Sequence, residues 1–417
     1  MLLDTADADT QRNGCDVLMD LSSGDAACTQ AAVDAGGVAA VVAAMRQHAA
    51  DADMQRLGCH ALLKLGYGDA ALVRAVVDGG GVAAVVAAMR QLAAVSEVQR
   101  SGCGALASLT FDEVCTQAVV DAGGVAAVVA AMGQHAAYAG LQRFGSCMMS
   151  NVSCGDAACK QAIVDAGVVA ALVAAMLQHA ADAVLQRDGC RALMNLSTGD
   201  AACTQAIVDA VAAVVAAMGQ HAEDAMLQRF GCGALMSMSF KDASRKAAVD
   251  AGGVTAVVAA MRQHAADALL QKCGCGALWN LSFSDAACKQ AIVDAGGVAV
   301  VVAAMRQHAT DAEVQRRGCG ALCKLSSGDA ACEQAVMDGG GVAAVVAAME
   351  QYAADAVLQR YGCGALMNLS FSDAACTQAI VSAGGVAAIV AAIVAAMRQQ
   401  FSSVQFILAK KKTRQAD

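Results

Sequence analysis

Nineteen cysteines are distributed along the 417-residue chain, and thiols can form disulfides, bind metals or act as nucleophiles. The closest pairs are Cys273/Cys275 and Cys319/Cys323. Neither pair forms a CxxC motif, and neither has a histidine or carboxylate at a spacing that specifies a metal site. Most cysteines recur once per repeat at fixed positions that are predicted to lie in the core, where cysteine behaves as a small buried hydrophobe. One set lies in a predicted third helix, and the other lies in a predicted first helix, at Cys28, Cys159, Cys203, Cys288, Cys332 and Cys376. We therefore expect reduced core thiols, no metal and no cofactor, in a cytoplasmic protein, with the nucleus as the alternative location.

Catalytic motifs of other kinds are absent from the sequence. GGGV runs occur at Gly79–Val82 and Gly339–Val342, but they lie between predicted helices and do not follow a strand, as a phosphate-binding loop would. No nucleophile elbow is found. The net charge of −9 argues against nucleic acid as a partner, because phosphate binding requires a basic surface. The chain is therefore expected not to be an enzyme, and its net charge is compatible with basic protein partners.

A repeat organises the whole chain. A Gly-Cys pair marks each copy, with serine in place of cysteine once, at these positions: Cys15, Cys59, Cys103, Ser146, Cys190, Cys232, Cys275, Cys319 and Cys363. The steps between them are 44, 44, 43, 44, 42, 43, 44 and 44 residues. A period this long and this regular is typical of a stacked solenoid.

Each repeat contains three predicted helices, and the clearest copy runs from Asp285 to Gly328. The first helix begins at Asp285, whose carboxylate can cap a helix start, and it ends at a glycine pair that permits a sharp reversal. The second helix carries apolar residues at helical spacing and ends in a basic turn. The third helix begins after Asp311, a second predicted cap, and shows apolar residues at i, i+4, i+7, i+8 and i+11. Strand alternation is absent.

Glycine, glutamine and histidine also recur once per repeat, and we interpret all three as structural. A glycine inside a helix costs about 1 kcal/mol relative to alanine, so the third-helix glycine is predicted to permit close helix packing. Its copies include Gly58, Gly102, Gly189, Gly274 and Gly362. The glutamines are predicted to form a side-chain hydrogen-bond ladder between repeats, with a row of partner contacts as the alternative. They are Gln11, Gln55, Gln99, Gln142, Gln186, Gln228, Gln271, Gln315 and Gln359.

The histidines are predicted to end second helices. They are His48, His135, His179, His221, His264 and His308. One histidine per repeat leaves neighbours too far apart to share a metal ion, whose nitrogen ligands lie at about 2.0–2.1 Å.

The three-helix unit resembles the armadillo repeat. The resemblance rests on a glycine turn, a second helix reading GGVAAVVAAM and a third reading VQRxGCGALxNLS, and it covers about residues 5–400. These sequence motifs are most similar to those of the armadillo-type repeats of leucine-rich-repeat kinases. The resemblance implies an all-α, right-handed α-solenoid of about nine repeats. It also implies a non-catalytic interaction scaffold that binds an extended peptide in a concave groove of third helices. The alternative is a regulatory armadillo region of a larger multidomain protein such as a leucine-rich-repeat kinase.

Two features depart from this family. The chain contains no proline, which often starts the second helix of armadillo repeats. Glycine also replaces the third-helix tryptophan of importin-α-like repeats, at Gly104, Gly233, Gly276, Gly320 and Gly364.

We predict a single repeat domain over residues 1–400. It comprises a leading third helix at 5–23, eight full repeats at 25–372 and a partial repeat at 373–400, and a tail at 401–417 follows as a short cap and a disordered basic end. The start within a repeat suggests a piece of a longer array. The glycine turn is missing near residue 210, which predicts an altered helix junction and a local change of superhelical pitch there.

A stretch without charge, Ala379–Met397, is interpreted as a first helix, a turn and an overlong second helix. A membrane tail anchor is the alternative. We expect no membrane partner.

Three positions of the third helix vary freely between copies, and we call them together the strip. The first reads Asn13, Leu57, Ser101, Phe144, Asp188, Phe230, Cys273, Arg317, Tyr361. The second reads Asp16, His60, Gly104, Cys147, Arg191, Gly233, Gly276, Gly320, Gly364. The third reads Asp20, Lys64, Ser108, Asn151, Asn195, Ser237, Asn280, Lys324, Asn368. Their i, i+3, i+7 spacing places all three on one helix face.

The family resemblance implies that this strip lines the peptide groove and that its asparagines bond the peptide backbone. The candidate peptide-binding residues are Asn151, Asn195, Asn280, Asn368, Phe144, Arg191, Phe230, Lys324 and Tyr361. The aromatic members, with Trp279, are candidate hot spots. The alternative is a solvated helix face with no partner.

Overall fold

The structure is a computed structural model that describes residues 7–23, 26–110, 112–196, 204–283, 285–327, 330–371 and 374–397. Within these ranges every regular element is an α-helix, which confirms the predicted all-α solenoid. The chain divides into two compact units, Met1–Gln220 (unit 1) and His221–Asp417 (unit 2).

Within the described residues, unit 1 contains these helices: α1 Ala8–Leu21, α2 Ala26–Asp34, α3 Gly37–Gln47, α4 Ala52–Leu65, α5 Ala70–Asp78, α6 Gly81–Gln91, α7 Ser96–Leu109, α8 Glu113–Asp121, α9 Gly124–Gln134, α10 Ala139–Val152, α11 Ala157–Asp165, α12 Val168–Gln178, α13 Ala183–Leu196 and α14 Thr204–Gln220. Unit 2 contains these: α15 Ala225–Met238, α16 Asp242–Asp250, α17 Gly253–Gln263, α18 Ala268–Leu281, α19 Ala286–Asp294, α20 Gly297–Gln307, α21 Ala312–Leu325, α22 Ala330–Asp338, α23 Gly341–Gln351, α24 Ala356–Ser370, α25 Ala374–Ser382 and α26 Gly385–Met397. Third helices are α1, α4, α7, α10 and α13 in unit 1 and α15, α18, α21 and α24 in unit 2.

Local sequence signals define the helix ends as expected. Asp285 accepts a hydrogen bond from the Cys288 amide at 3.0 Å, and Asp311 accepts from the Glu313 amide at 2.9 Å. Both predicted caps are thereby confirmed. The turn after the first helix places Gly296 at φ 81°, a left-handed conformation that glycine adopts without steric cost.

The third-helix glycine packs against a methionine from the end of the second helix. A Cβ on Gly274 would lie 2.5 Å from Cγ of Met261, and a Cβ on Gly318 would lie 2.5 Å from Cγ of Met305. The predicted packing role is therefore confirmed, because the methionine fills the space that a larger residue would need.

The junction near residue 210 differs from the others, as predicted. One continuous 17-residue helix, α14, replaces the usual first helix, turn and second helix. Ala210 and Val211 are fully buried along it. The absence of both glycines explains the continuity, because nothing there favours a left-handed turn. The accompanying change of superhelical pitch stays a prediction.

Most cysteines in the described part of the chain lie in the core. Cys59, Cys103 and Cys275 are completely buried, and burial raises the pKa of Cys59 and of Cys275 to about 12. The prediction is wrong for Cys28, which is exposed on α2, while Thr29 and Ala32 face inwards there. Cys203, which was predicted to be a core residue, lies outside the described residues.

The uncharged stretch near the C-terminus is divided between α25 and α26, which meet at a bend of 72°. Within the described residues no single helix is long and apolar enough to cross a membrane. Six pairs of consecutive helices, each bent by 63° to 72°, would reach the required length and composition only when both members are counted. The predicted tail at 401–417 lies outside the described residues.

Candidate functional site

Third helices in each unit are joined by ion pairs that the sequence reasoning missed. An arginine of one repeat pairs with the aspartate that caps the third helix of the next repeat. The pairs and their N–O distances are Arg12–Asp51 at 2.7 Å, Arg143–Asp182 at 2.8 Å, Arg229–Asp267 at 3.1 Å and Arg316–Asp355 at 2.5 Å. The available signal was an arginine directly after the recurring glutamine and an aspartate about one repeat later.

The recurring glutamines after the first bond within a repeat, so the prediction of a glutamine ladder between repeats is wrong. Gln11 differs, because its Nε2 donates to Oε1 of Gln47 in the following repeat at 3.2 Å. Nε2 of Gln315 donates to the carbonyl oxygens of Met305 at 2.7 Å and His308 at 3.0 Å. Met305 belongs to the last turn of the second helix of the same repeat, where carbonyls lack helical partners, and His308 directly follows that helix. Equivalent bonds to both carbonyls are made by Gln55, Gln99, Gln142, Gln186, Gln271 and Gln359.

The histidines make the bond between repeats. They follow second helices, as predicted, and in His135, His179, His264 and His308 the Nε2 atom also pairs with a backbone carbonyl of the preceding repeat. Nε2 of His48 has no hydrogen-bond partner in the described part of the chain. The pairs are His135 with Ala93 at 2.8 Å, His179 with Ala136 at 2.7 Å, His264 with Ala222 at 2.8 Å and His308 with Ala265 at 2.7 Å. Tyr352 takes the same role, and its hydroxyl donates to the carbonyl of Ala309 at 2.9 Å.

The strip asparagines are half-buried, and each is tied to the preceding repeat. Nδ2 of Asn280 donates to the Met236 carbonyl at 2.8 Å, and Nδ2 of Asn368 donates to the Cys323 carbonyl at 2.9 Å. These carbonyls belong to the last turns of α15 and α21, which lack helical partners. One N–H of each carboxamide is therefore used to fix its orientation.

The unit 1 asparagines are more heavily occupied. Asn151 donates to the Ala107 carbonyl at 3.3 Å, and its Oδ1 accepts from Arg191 at 2.8 Å. Arg191 also contacts the hydroxyl of Ser150. Asn195 donates to the Ser153 hydroxyl at 3.1 Å. Arg191 and Asn151 thus form one polar network between adjacent third helices.

The strip glycines allow side chains from the two flanking repeats to meet above them. A Cβ on Gly320 would lie 2.9 Å from Cε2 of Trp279 on α18. The Trp279 ring passes over this glycine and meets the Tyr361 ring of α24 at a centroid distance of 5.0 Å and an angle of 72°. Trp279 is half-buried, and its indole nitrogen is shielded from solvent. The glycine that replaces the family tryptophan is therefore a crossing point for aromatic side chains.

Two other strip glycines repeat this arrangement. Above Gly276, Met236 of α15 contacts Arg317 of α21. At Gly104, a Cβ would lie 3.0 Å from Leu63 of α4 and 3.5 Å from Phe144 of α10. Predicted hot-spot aromatics thus pack partly against their own neighbours, which the variation between copies could not reveal.

The remaining predicted residues are Phe230 and Lys324. Phe230 is half-buried on α15. Nζ of Lys324 lies 4.2 Å from the centroid of the Phe283 ring, a cation–π contact. Among the described residues Lys324 forms no ion pair with a carboxylate. In unit 2 the three residues Asn280, Lys324 and Asn368 occupy the same strip position on α18, α21 and α24.

Comparison with known proteins supports a helical-repeat assignment. Residues 129–326 match the family described as "Protein zer-1 homolog-like, C-terminal domain". No curated protein sequence matches the chain. The finer assignment to armadillo repeats of the leucine-rich-repeat kinase type stays a prediction.

Solved structures include three crystal structures of engineered proteins from the Northeast Structural Genomics Consortium. Two of them have TM-scores of 0.41 and 0.40, with 27% and 20% identity over 73% and 69% of this chain and 97% of each matched chain. The third is 33% identical over 92% of this chain and 90% of its own, with a TM-score of 0.76. Through this similarity, the chain belongs to the same family of helical-repeat proteins as the third engineered protein.

Proposed function

We propose that the protein is a non-catalytic interaction scaffold that binds an extended polypeptide segment along the strip of unit 2. The observation that carries the proposal is the pair of strip asparagines on α18 and α24. Each carboxamide is fixed by one hydrogen bond to the preceding third helix, and among the described residues its Oδ1 accepts no hydrogen bond. A fixed, half-exposed amide is suited to pairing with a peptide backbone, because little side-chain entropy is lost on binding.

The spacing of third helices fits an extended ligand. Packed helices lie about 8–10 Å apart, and an extended chain advances about 3.3 Å per residue. About three ligand residues therefore span one repeat. Asn280 and Asn368 are two repeats apart, so a single extended segment would meet both.

The chemistry of the thiols supports a scaffold over an enzyme. Half-buried cysteines lie on or beside the strip, at Cys147, Cys273 and Cys323. Burial raises the pKa of each of these thiols, which disfavours the thiolate that a nucleophile requires.

We further propose an armadillo-type repeat and a cytoplasmic location. The armadillo type is supported by the three-helix repeat with an asparagine on its third helix. A regulatory armadillo region of a larger protein, the alternative function, would bind its ligand through the same surface. A cytoplasmic location is supported by the buried free thiols, which suit a reducing compartment.

Peptides selected from a random phage-displayed library against the full chain would test the proposal. Asn280→Ala/Asn368→Ala is expected to weaken the selected peptides by about tenfold, since each lost hydrogen bond is worth about 0.5–1.5 kcal/mol. The matched control is Gln290→Ala/Gln334→Ala. These surface amides on first helices also lose one hydrogen bond each, to Asp294 and Asp338. Equal affinities for both double variants would contradict the proposal, and thermal unfolding of both would show that the fold is retained.

A further inference from the structure

We infer that the strip of unit 2 selects an acidic ligand, an extended segment in which carboxylates stand among apolar side chains. This inference rests on the proposed function and specifies its ligand. The strip of unit 2 carries a positive charge. Unit 2 carries Arg317 and Lys324 at strip positions and no acidic residue at any of them. The chain as a whole has a net charge of −9, so the local charge of this surface is opposite to the total.

Lys324 is the centre of the surface. It lies in the third strip position of α21, between Asn280 on α18 and Asn368 on α24. Its ammonium rests 4.2 Å from the centroid of the Phe283 ring. An aromatic face orients a cation but leaves its charge uncompensated, so the ammonium can still pair with an incoming carboxylate. A segment held by both asparagines would place a side chain at Lys324.

Arg317 contributes less to the positive charge. It lies on the same helix, and its guanidinium pairs with Glu313 at 3.5 Å and contacts the sulfur of Met236. Its side chain is 23% exposed. Arg317 is therefore largely committed within the protein, and Lys324 is the cation that a ligand would recognise.

Exposed aromatic residues border the same surface. Phe240, Phe283 and Phe371 lie within two residues of the ends of α15, α18 and α24 and are 65%, 45% and 82% exposed. Isolated exposed apolar side chains are ordinary, but these three recur at one position of the repeat. Aromatic side chains are frequent anchors in interfaces. A ligand with apolar residues between its carboxylates would cover both features.

The strip of unit 1 has a different charge pattern. It carries acidic residues at Asp16, Asp20 and Asp188 and basic residues at Lys64 and Arg191. Arg191 is already bonded to Ser150 and Asn151. Charge complementarity with an acidic segment is therefore a property of unit 2.

In the test, peptides are selected on the wild-type full chain, and their binding to three single variants is then measured. Lys324→Glu reverses the central charge, Lys324→Arg conserves it, and Lys246→Glu reverses an exposed charge on the first helix α16, away from the strip. Peptides enriched on the wild type are expected to carry an excess of Asp and Glu. Fluorescence anisotropy with an enriched peptide should show about tenfold weaker binding for Lys324→Glu and less than about twofold change for the other two.

Two results would overturn the inference while leaving the scaffold in place: enriched peptides with no acidic excess, or equal effects of Lys324→Glu and Lys246→Glu. Changing the Glu residues of the peptide to Lys should restore binding to Lys324→Glu, and failure of this exchange counts against direct pairing. If no selected peptide is weakened by Asn280→Ala/Asn368→Ala, the scaffold proposal itself fails.

Discussion

Trp279 shows how one residue can link three repeats. Trp279 belongs to α18, and its ring passes over Gly320 of α21 and packs against the ring of Tyr361 of α24. A second contact, with Phe283 at a centroid distance of 6.1 Å, connects it to the aromatic border of the strip. The absence of a side chain at Gly320 is the condition for this arrangement.

Gly320→Leu is predicted to displace the Trp279 ring. A Cβ would already approach Cε2 of Trp279 at 2.9 Å, and overpacking of this kind costs about 1–3 kcal/mol. Trp279 is the only tryptophan in the chain, so its fluorescence reports the displacement directly. Thermal unfolding gives the loss of stability.

The control for this substitution is Gly133→Ala on α9. Beyond the local backbone of α9, no described atom lies within 4 Å of its added Cβ, so the helix propensity of alanine should raise stability by up to about 1 kcal/mol. Unchanged fluorescence and stability in Gly320→Leu would show that the crossing is not required.

At the scale of the helices, two rows of polar residues make two different kinds of connection between helices. Glutamines join the second and third helices of one repeat, and histidines join consecutive repeats. Both rows satisfy backbone carbonyls at places where helices end.

Substitution of one residue from each row should separate these roles. Gln315→Met leaves the buried Met305 carbonyl unpaired and removes one of the two hydrogen bonds to the His308 carbonyl, which still accepts from the Asp311 amide at 3.0 Å. This substitution is expected to cost about 1–3 kcal/mol. His308→Phe removes a single bond to Ala265 and should cost about 0.5–1.5 kcal/mol. Hydrogen exchange is expected to increase at the end of α20 in the first variant and at the α17–α18 connection in the second. The reverse distribution would contradict the assignment.

At the scale of the whole molecule, both units contain aspartates that cap a third helix and pair with an arginine. Burial alone would raise the pKa of Asp182, yet the hydrogen bond and charge of Arg143, with the amide of Leu185, lower it. For Asp355, burial again acts upwards, and the Leu358 amide and Arg316 lower its pKa. Ionised, these groups stabilise the folded chain.

Stability is therefore predicted to fall on acidification. A carboxyl whose pKa is lower in the folded state contributes fully above its unfolded pKa of about 3.9, and the contribution is lost as the pH falls through the folded pKa. Asp182→Asn and Asp355→Asn keep a capping side chain but remove the titration. Urea unfolding between neutral pH and pH about 3 should show a smaller loss of stability in the double variant. An identical acid dependence would exclude these groups as its source.

Much of the fold follows from the sequence, because a regular period and helical spacing leave few alternatives to a solenoid. The same periodicity explains the error with the glutamines. A residue that recurs once per repeat has the same spacing whether its partner lies in its own repeat or in the next, so Gln315 and His308 cannot be distinguished by position. The contact between Trp279 and Tyr361 over Gly320 could not be predicted from the repeat pattern either, since it joins residues two repeats apart.

The bond from His308 to Ala265 ends on a main-chain oxygen, and so do those of His135, His179, His264 and Tyr352. An acceptor of this kind is present whatever side chain the neighbour carries. Duplication or loss of one repeat would therefore preserve the hydrogen bond between neighbouring repeats, provided that the repeat that follows carries a single suitably placed donor. Copy number can drift in such a chain, while recognition evolves separately at the variable positions.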